Sequence, residues 1–410
     1  MATSPVLDNI PNHVPPELVV RDFPFSFGAT TDQIPFDSMI SGVHANPDIF
    51  YVPELAAGGE GGWVLRRDED MRAVYNDYEH FSNRDTTPFP QFTGGTWRVL
   101  PLESDPPLHS AYRRFLNPVF SPKVTQALDA KIRQYARDYV EGFKDSGRID
   151  FLQQFAFEFP IKVFLELMGL PQGQVKQFLD WTGELLHAPD VETLVRATRE
   201  VVDYLRGEIE DRKINPRDDV ITRGVQAKID KEGRPLTEDE LLGFCFNLFV
   251  GGLDTISTNL TWQFLHLARN AEHQELLRSN PAKIPDAIDE FMRIFASVMT
   301  FRVCVKETKL RGITIKVGEK VAMSTSIAAR DPAAWDRPDE VILDRKPRHL
   351  SFGYGPHLCV GMYLARREMK IAMEEFLAAI PSFRLVPGVT MITALHGVMQ
   401  PDTLMLEWDV

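Results

Sequence analysis

Apolar positions recur at three- and four-residue spacing through most of this chain, the period of helices with one buried face. The spacing predicts helices over 122–144 and 191–212. A third segment, 237–270, opens with Thr237, Glu238, Asp239 and Glu240. In that arrangement a hydroxyl and a carboxylate satisfy the first free backbone N–H groups of a helix. The segment then stays mostly apolar over 241–264. Residues 283–295 and 359–379 predict two more helices. Strand signals are scarcer: 62–65, 303–306, 310–323 with a turn at Val317 and Gly318, and 403–408. Residues 328–358, rich in Pro, Asp and Arg, predict a long loop, and long loops in compact domains are often functional. The sum is a mainly α fold with small antiparallel β-sheets.

Neither an internal repeat nor a shift in composition divides the 410 residues, so 1–410 reads as one domain. Aspartate and glutamate outnumber lysine and arginine by 58 to 45, a net charge of −13. Nucleic acid is therefore not expected as a partner, because phosphate binding needs a basic footprint. The cysteines are three: Cys245, Cys304 and Cys359. An odd, sparse set is not a disulfide framework, and no pair has zinc-ligand spacing, so a reducing cytoplasm is expected. The N-terminus lacks the basic start and apolar run of a secretory leader. The longest apolar stretch, 241–253, falls short of a bilayer, so no membrane anchor is expected. Without coiled-coil heptads or a large surface apolar run, a monomer is expected.

The segment 351–368 carries the strongest chemical signal. Gly353, Gly355 and Gly361 bracket Cys359, and a helix follows at once. Glycines let backbone approach a bulky flat group. A cysteine before a helix N-terminus meets the positive end of the helix dipole and free N–H groups, which favour thiolate. Such a sulfur suits an iron ligand. A lone cysteine is by default a buried inert residue, but Phe352 and His357 at fixed offsets argue against that reading. A nucleophilic cysteine would need a base and an oxyanion site that the sequence does not identify.

The second signal is the run 249–255, where Gly251 and Gly252 interrupt an apolar helix. Each costs about 1 kcal/mol against alanine, so something must come close there or the hydrogen-bond ladder must open. Asp254 and Thr255 place an acid and an alcohol just beyond. Helical spacing sets Asn247, Gly251 and Thr255 along one face.

The pattern F-G-x-G-x-H-x-C-x-G over 352–361 resembles the haem-binding loop of the cytochrome P450 family. The resemblance covers essentially the whole chain and is nearest to the bacterial camphor hydroxylase group, through 12–23, 157–171, 249–255 and the cysteine loop. It implies haem b with Cys359 on the iron, Phe352 packed by the thiolate and His357 on a propionate. Arg302, Arg113 and His109 fall where the family makes further propionate contacts. Gly251 falls in the oxygen-binding groove, where the family's threonine and acid, here Thr255 and Asp254, deliver protons. Glu290 and Arg293 match the family's E-x-x-R pair, with Arg345 completing a triad that holds the cysteine loop. The implied partners are dioxygen and a small acidic [2Fe–2S] ferredoxin reduced by an NADH-dependent flavoprotein. Arg72, Arg113, Arg366 and Arg367 would form its docking patch.

The substrate pocket implied by the resemblance comprises Phe89, Trp97, Asn247, Val250, Val298, Thr300, Val398 and Met399. Trp97 stands where the camphor hydroxylase has a tyrosine, Thr300 where it has an aspartate, and Asn247 where it has a leucine. The expectation is therefore hydroxylation of a terpenoid or norisoprenoid, an ionone-like ketone before camphor, with Asn247 or Trp97 as the polar contact. A haem sensor or carrier, and a peroxygenase or desaturase on the same scaffold, are the alternatives.

Overall fold

A computed structural model describes residues 10–56, 59–188, 190–229 and 233–410. Residues 1–9, part of the stretch read as lacking a leader, lie outside them.

Helix Glu238–Arg269, 32 residues long, is the axis of the molecule. It starts where the capping box sets it: the Thr237 hydroxyl accepts from the Glu240 N–H and the Glu240 carboxylate accepts from the Thr237 N–H. By length and composition it could cross a membrane, which corrects the expectation that no segment is long enough. Yet 72% of its most apolar window is buried inside the protein. A helix that is apolar all round belongs in a core. Helices Glu158–Met168, Val175–Leu186, Val191–Ile214 and Met362–Ala379 pack around it.

The expected helix over 122–144 is two, Pro122–Ala127 and Asp129–Phe143. The others lie close to their expected bounds: Val191–Ile214, Ile284–Ile294 and Met362–Ala379. The largest sheet has five strands in the order Ile49–Ala56, Glu60–Leu65, Lys320–Ser324, Met299–Cys304 and Phe81–Ser82. Strand Lys320–Ser324 runs parallel to Glu60–Leu65, so this sheet is mixed rather than antiparallel. Strands so far apart in sequence have no hairpin to fix their direction. Strand Ile49–Ala56 escaped the pattern reading because its first four residues are all buried, which abolishes alternation. The stretch read as one strand with a turn contains a further hairpin. Thr308–Leu310 and Ile313–Ile315 join through Arg311 and Gly312, both at positive φ, as a two-residue hairpin turn demands.

One contiguous apolar core runs from Val14 to Trp408. Between Ala329, where a short helix ends, and Gly355, the described chain has neither helix nor strand. This long loop delivers the cysteine segment to the N-terminus of helix Met362–Ala379.

Candidate active site

Cys359 lies just before that helix. Its N–H donates to the Phe352 carbonyl at 2.8 Å, which folds the loop into a tight turn around the sulfur. Gly355 sits at φ +68, and a Cβ there would meet Asn76 Oδ1 at 2.5 Å. Its role is thus close approach to helix Asp68–Asn76, not to a flat group. The N–H groups of Gly361 and Met362 point at the thiol. Burial nevertheless pushes its pKa above the ordinary thiol value, against these N–H groups and the charges of Arg113 and Arg366. The helix end acts in the expected direction, toward thiolate, and burial acts against it. A metal bond removes such a proton outright. Cys245, inside the central helix, is pushed to about 12 by burial, and Cys304 is buried in a strand. Of the three, Cys359 alone is accessible.

Four cationic or potentially cationic side chains gather near this loop, none of them ion-paired with a carboxylate among the described residues, although the charge of Asp105 reaches His109 and Arg302. Arg302 is buried, and its one side-chain hydrogen bond is to the Phe301 carbonyl at 2.9 Å among the described residues. Arg113 donates to the Leu358 carbonyl at 2.6 Å and to Asn117 at 2.8 Å. The His109 ring lies against His357, with centroids 4.0 Å apart and planes tilted by 40°, and both its ring nitrogens are buried without partners among the described residues. Burial, then neighbouring Arg113, holds His109 down to about 4. Burial, then His109 and the two arginines, holds His357 down to about 2. The Asn83 amide donates to His357 Nδ1 at 3.1 Å, which leaves the proton on Nε2 as a donor. Buried cations are costly without a counter-charge. The cluster therefore fits a group that brings carboxylates, as the propionates of haem do.

The central helix carries the second candidate feature. From Leu241 to Leu265 its residues are buried except Asn247, Val250, Gly251, Gly252 and Thr255. Positions 247, 251 and 255 are four apart, so the accessible stripe is one helix face. At Gly251 a Cβ would meet nothing within 4 Å, whereas at Gly252 it would touch Phe164 at 3.4 Å. The helix is not interrupted: it runs unbroken, and the Thr255 hydroxyl donates to the Gly251 carbonyl at 3.0 Å. Such back-bonding bends helices without breaking them. Asp254 is buried, and its carboxylate meets His187 Nε2 at 3.2 Å.

Phe89 and Trp97 pack on Phe246 at 5.2 and 4.9 Å. The Trp97 N–H donates to the Thr93 hydroxyl at 2.8 Å, so Trp97 has no polar atom left for a substrate. The Thr300 hydroxyl lies 3.0 Å from Tyr75 Oη, a contact that leaves it further hydrogen-bonding capacity. The correction at Trp97 leaves Asn247, whose amide has no partner among the described residues, as the wholly unpartnered polar group. Val298 and Val398 form an isolated bridge, and the Met399 N–H donates to the Ser297 carbonyl.

Glu290, Arg293 and Arg345 form one network. Arg293 grips the Glu290 carboxylate at 2.7 and 2.9 Å, and Arg345 adds a contact at 3.1 Å. The free N–H groups of both arginines hold loop carbonyls of Ala329, Asp336, Arg337, Pro338 and Glu340. The other expected surface cations are half-buried and engaged. Arg72 pairs with Asp68, Arg366 with Asp289 and Arg367 with Asp129. Arg366 also lies 4.5 Å over the Phe352 ring.

Sequence reasoning missed Tyr75, Asn83 and His187. All three act through tertiary contacts and lie in no motif. Tyr75 lies 5.1 Å beneath the Arg302 guanidinium.

The sequence model of the family described as Cytochrome P450 matches residues 161–408. A curated relative, the probable cytochrome P450 127A1 of Sinorhizobium fredii, is 38% identical over 97% of both chains. Cytochrome P450-terp of a Pseudomonas species is 33% identical over 84% of this chain and 87% of its own. Among solved structures, cytochrome P450 CYP101C1 superposes with a TM-score of 0.87 at 31% identity, covering 98% of this chain and all of the other.

Proposed function

This chain belongs to the cytochrome P450 family, and from that premise we propose that it hydroxylates an unactivated C–H bond of a compact hydrophobic ketone, terpenoid or norisoprenoid. It is a monooxygenase, an oxidoreductase whose cofactor is haem b. The proposal extends to the electron source, a [2Fe–2S] ferredoxin with its flavoprotein reductase.

When bound, the haem supplies oxygen activation and hydrogen abstraction. Cys359 holds its iron, with Phe352 packed beside the sulfur. Arg302, Arg113, His357 and His109 hold its propionates through charge-assisted bonds. The bare backbone of Gly251 leaves room for dioxygen. Thr255 and Asp254 hold and move the protons that splitting dioxygen requires. Phe89, Trp97, Val250, Val298, Val398 and Met399 exclude water around the substrate.

The unpartnered amide of Asn247, on the accessible stripe it shares with Thr255, carries the substrate reading. Its N–H donors in a largely apolar pocket suit a small molecule with an acceptor oxygen. The name of the Pseudomonas relative is in keeping with a terpene-like substrate. For the ferredoxin, Arg72 lies over the exposed Tyr354, Arg113 reaches the exposed Leu358, and Arg366, beside Phe352, and Arg367 add charge. Half-exposed cations rimming an apolar patch suit an acidic partner and speed its approach.

The test is a panel of camphor and the ionones added to the ferric protein, read by the low- to high-spin shift. An ionone is expected to give the largest shift. No shift across the panel overturns the substrate reading. The reduced carbon monoxide spectrum tests Cys359: a strongly red-shifted Soret band is expected, and a histidine-type band overturns it.

A further inference from the structure

Asp254 is a buried carboxylate whose one hydrogen-bond partner, among the described residues, is a histidine from another element. His187 closes the C-terminus of helix Val175–Leu186, and its Nε2 reaches Asp254 Oδ1 at 3.2 Å. The Asp254 side chain is 2% exposed and that of His187 is 32% exposed. The pair thus spans from the protein interior to water. Gln400 stands beside the imidazole, buried, with neither amide atom otherwise paired. His396 completes the group: it senses the charge of His187, accepts the Gly28 N–H at Nδ1, and lies 4.8 Å from the exposed Phe27 ring.

We infer that His187 is a positioning residue that feeds protons from solvent to Asp254, and so sets the pH range over which oxygen cleavage is coupled to product. The imidazolium gives its Nε2 proton to Asp254 Oδ1. Asp254 passes that proton toward Thr255 and returns to carboxylate, and water reprotonates the imidazole. No electrons move in these steps. The inference rests on the monooxygenase reading above, in which Asp254 and Thr255 govern protonation.

Three physical points support it. A buried carboxylate needs a partner, and an imidazole is the side chain that both partners a carboxylate and titrates near neutrality. Burial lowers the His187 pKa, but the hydrogen bond and charge of Asp254, with Gln400, outweigh it and leave it above its ordinary 6.5. The donor therefore stays loaded to a higher pH than a free imidazole and becomes empty as pH rises past that raised value. The facing His396 has its own pKa lowered by burial and by His187, so it stays neutral and does not compete for the proton.

Nitrogen-15 NMR of the holoprotein in its diamagnetic ferrous carbon monoxide form reads His187 directly. Its titration is expected above pH 6.5, falling by at least one unit in Asp254→Asn. A titration at or below 6.5, unmoved by that change, overturns the inference. Coupled turnover of the ionone with the largest spin shift supplies the second readout. His187→Gln keeps a hydrogen-bond donor but cannot titrate. It is expected to slow coupled turnover at least tenfold and to flatten the alkaline limb of the pH profile, while His187→Lys restores part of the rate. A purely structural latch would leave His187→Gln with the wild-type rate and profile, and that result overturns the inference. If Asp254→Asn and Thr255→Ala also leave coupling unchanged, the relay reading falls and the inference with it. If they uncouple and His187→Gln does not, only the role of His187 falls.

Discussion

The cysteine loop and the accessible stripe of the central helix are held by different means. The loop is held by backbone: Cys359 N–H on the Phe352 carbonyl, Arg113 on the Leu358 carbonyl, Arg293 and Arg345 on the long loop that precedes it. The stripe carries few polar ties: one back-bond at Thr255, one contact at Asp254 and none at Asn247. The difference follows from the tasks. An iron ligand must keep one position, so its support is redundant and directional. A substrate-facing stripe must exclude water and tolerate movement, so it is largely apolar with few polar groups.

Breaking the support of the loop should have the largest effect. Glu290→Ala leaves Arg293 buried without its counter-charge, a loss of about 3–5 kcal/mol in comparable networks. Urea denaturation of the haem-free and haem-bound protein should show that loss, together with weak haem retention. A change below about 1 kcal/mol, the scale of an ordinary surface substitution, would mean the network holds nothing.

The paired histidine rings offer a second way to separate the two regions. His109 is held down to about 4, so between pH 6.5 and 4 the unfolded chain takes up a proton that the folded chain refuses. Stability of the haem-free protein must then fall as pH falls through that window, on the order of 3 kcal/mol from His109 alone. His357, held at about 2, adds to the same slope. With haem bound, propionates beside the rings should reduce the slope. Equal slopes with and without haem, in thermal unfolding against pH, would contradict the propionate assignment.

On the central helix the effects are smaller in stability and visible in chemistry. Thr255→Ala removes one exposed hydroxyl, so unfolding should barely change. Alcohol formed per NADH should drop roughly a hundredfold in favour of peroxide, the scale of a positioned proton donor. Unchanged coupling would favour the sensor or peroxygenase alternatives. The smallest effect belongs to Asn247→Leu. A ketone should bind about tenfold more weakly, ~1.4 kcal/mol, while the matching hydrocarbon keeps its affinity. Equal losses for both would make Asn247 a packing residue.

The two regions also differ in how far the sequence disclosed them. Cys359, Phe352 and His357 lie within eight residues, and local geometry follows from local sequence: glycines at positive φ and a helix start. The capping box at Thr237 and the helix it begins were legible for the same reason. How strongly the surrounding protein opposes a thiolate at Cys359 was not legible, because it depends on long-range packing. Nor were the loss of Trp97 as a polar substrate contact and the pairing of Thr300 with Tyr75. Thr93 is a near neighbour of Trp97, but whether its hydroxyl turns to the indole depends on how the loop folds. Tyr75 lies 225 positions from Thr300.

The sequence by itself determined the ligand loop, the glycine-bearing helix with its acid and alcohol, and the E-x-x-R pair, since each is a short-range pattern with one chemical meaning in combination. Tertiary structure alone decided which of these groups remain free. It paired Asp254 with His187 across 67 positions, tied Thr300 to Tyr75, and left Arg302 and Arg113 without an ion-paired carboxylate among the described residues in a chain of net charge −13. Partnership between distant side chains depends on long-range packing, which periodicity and spacing do not encode.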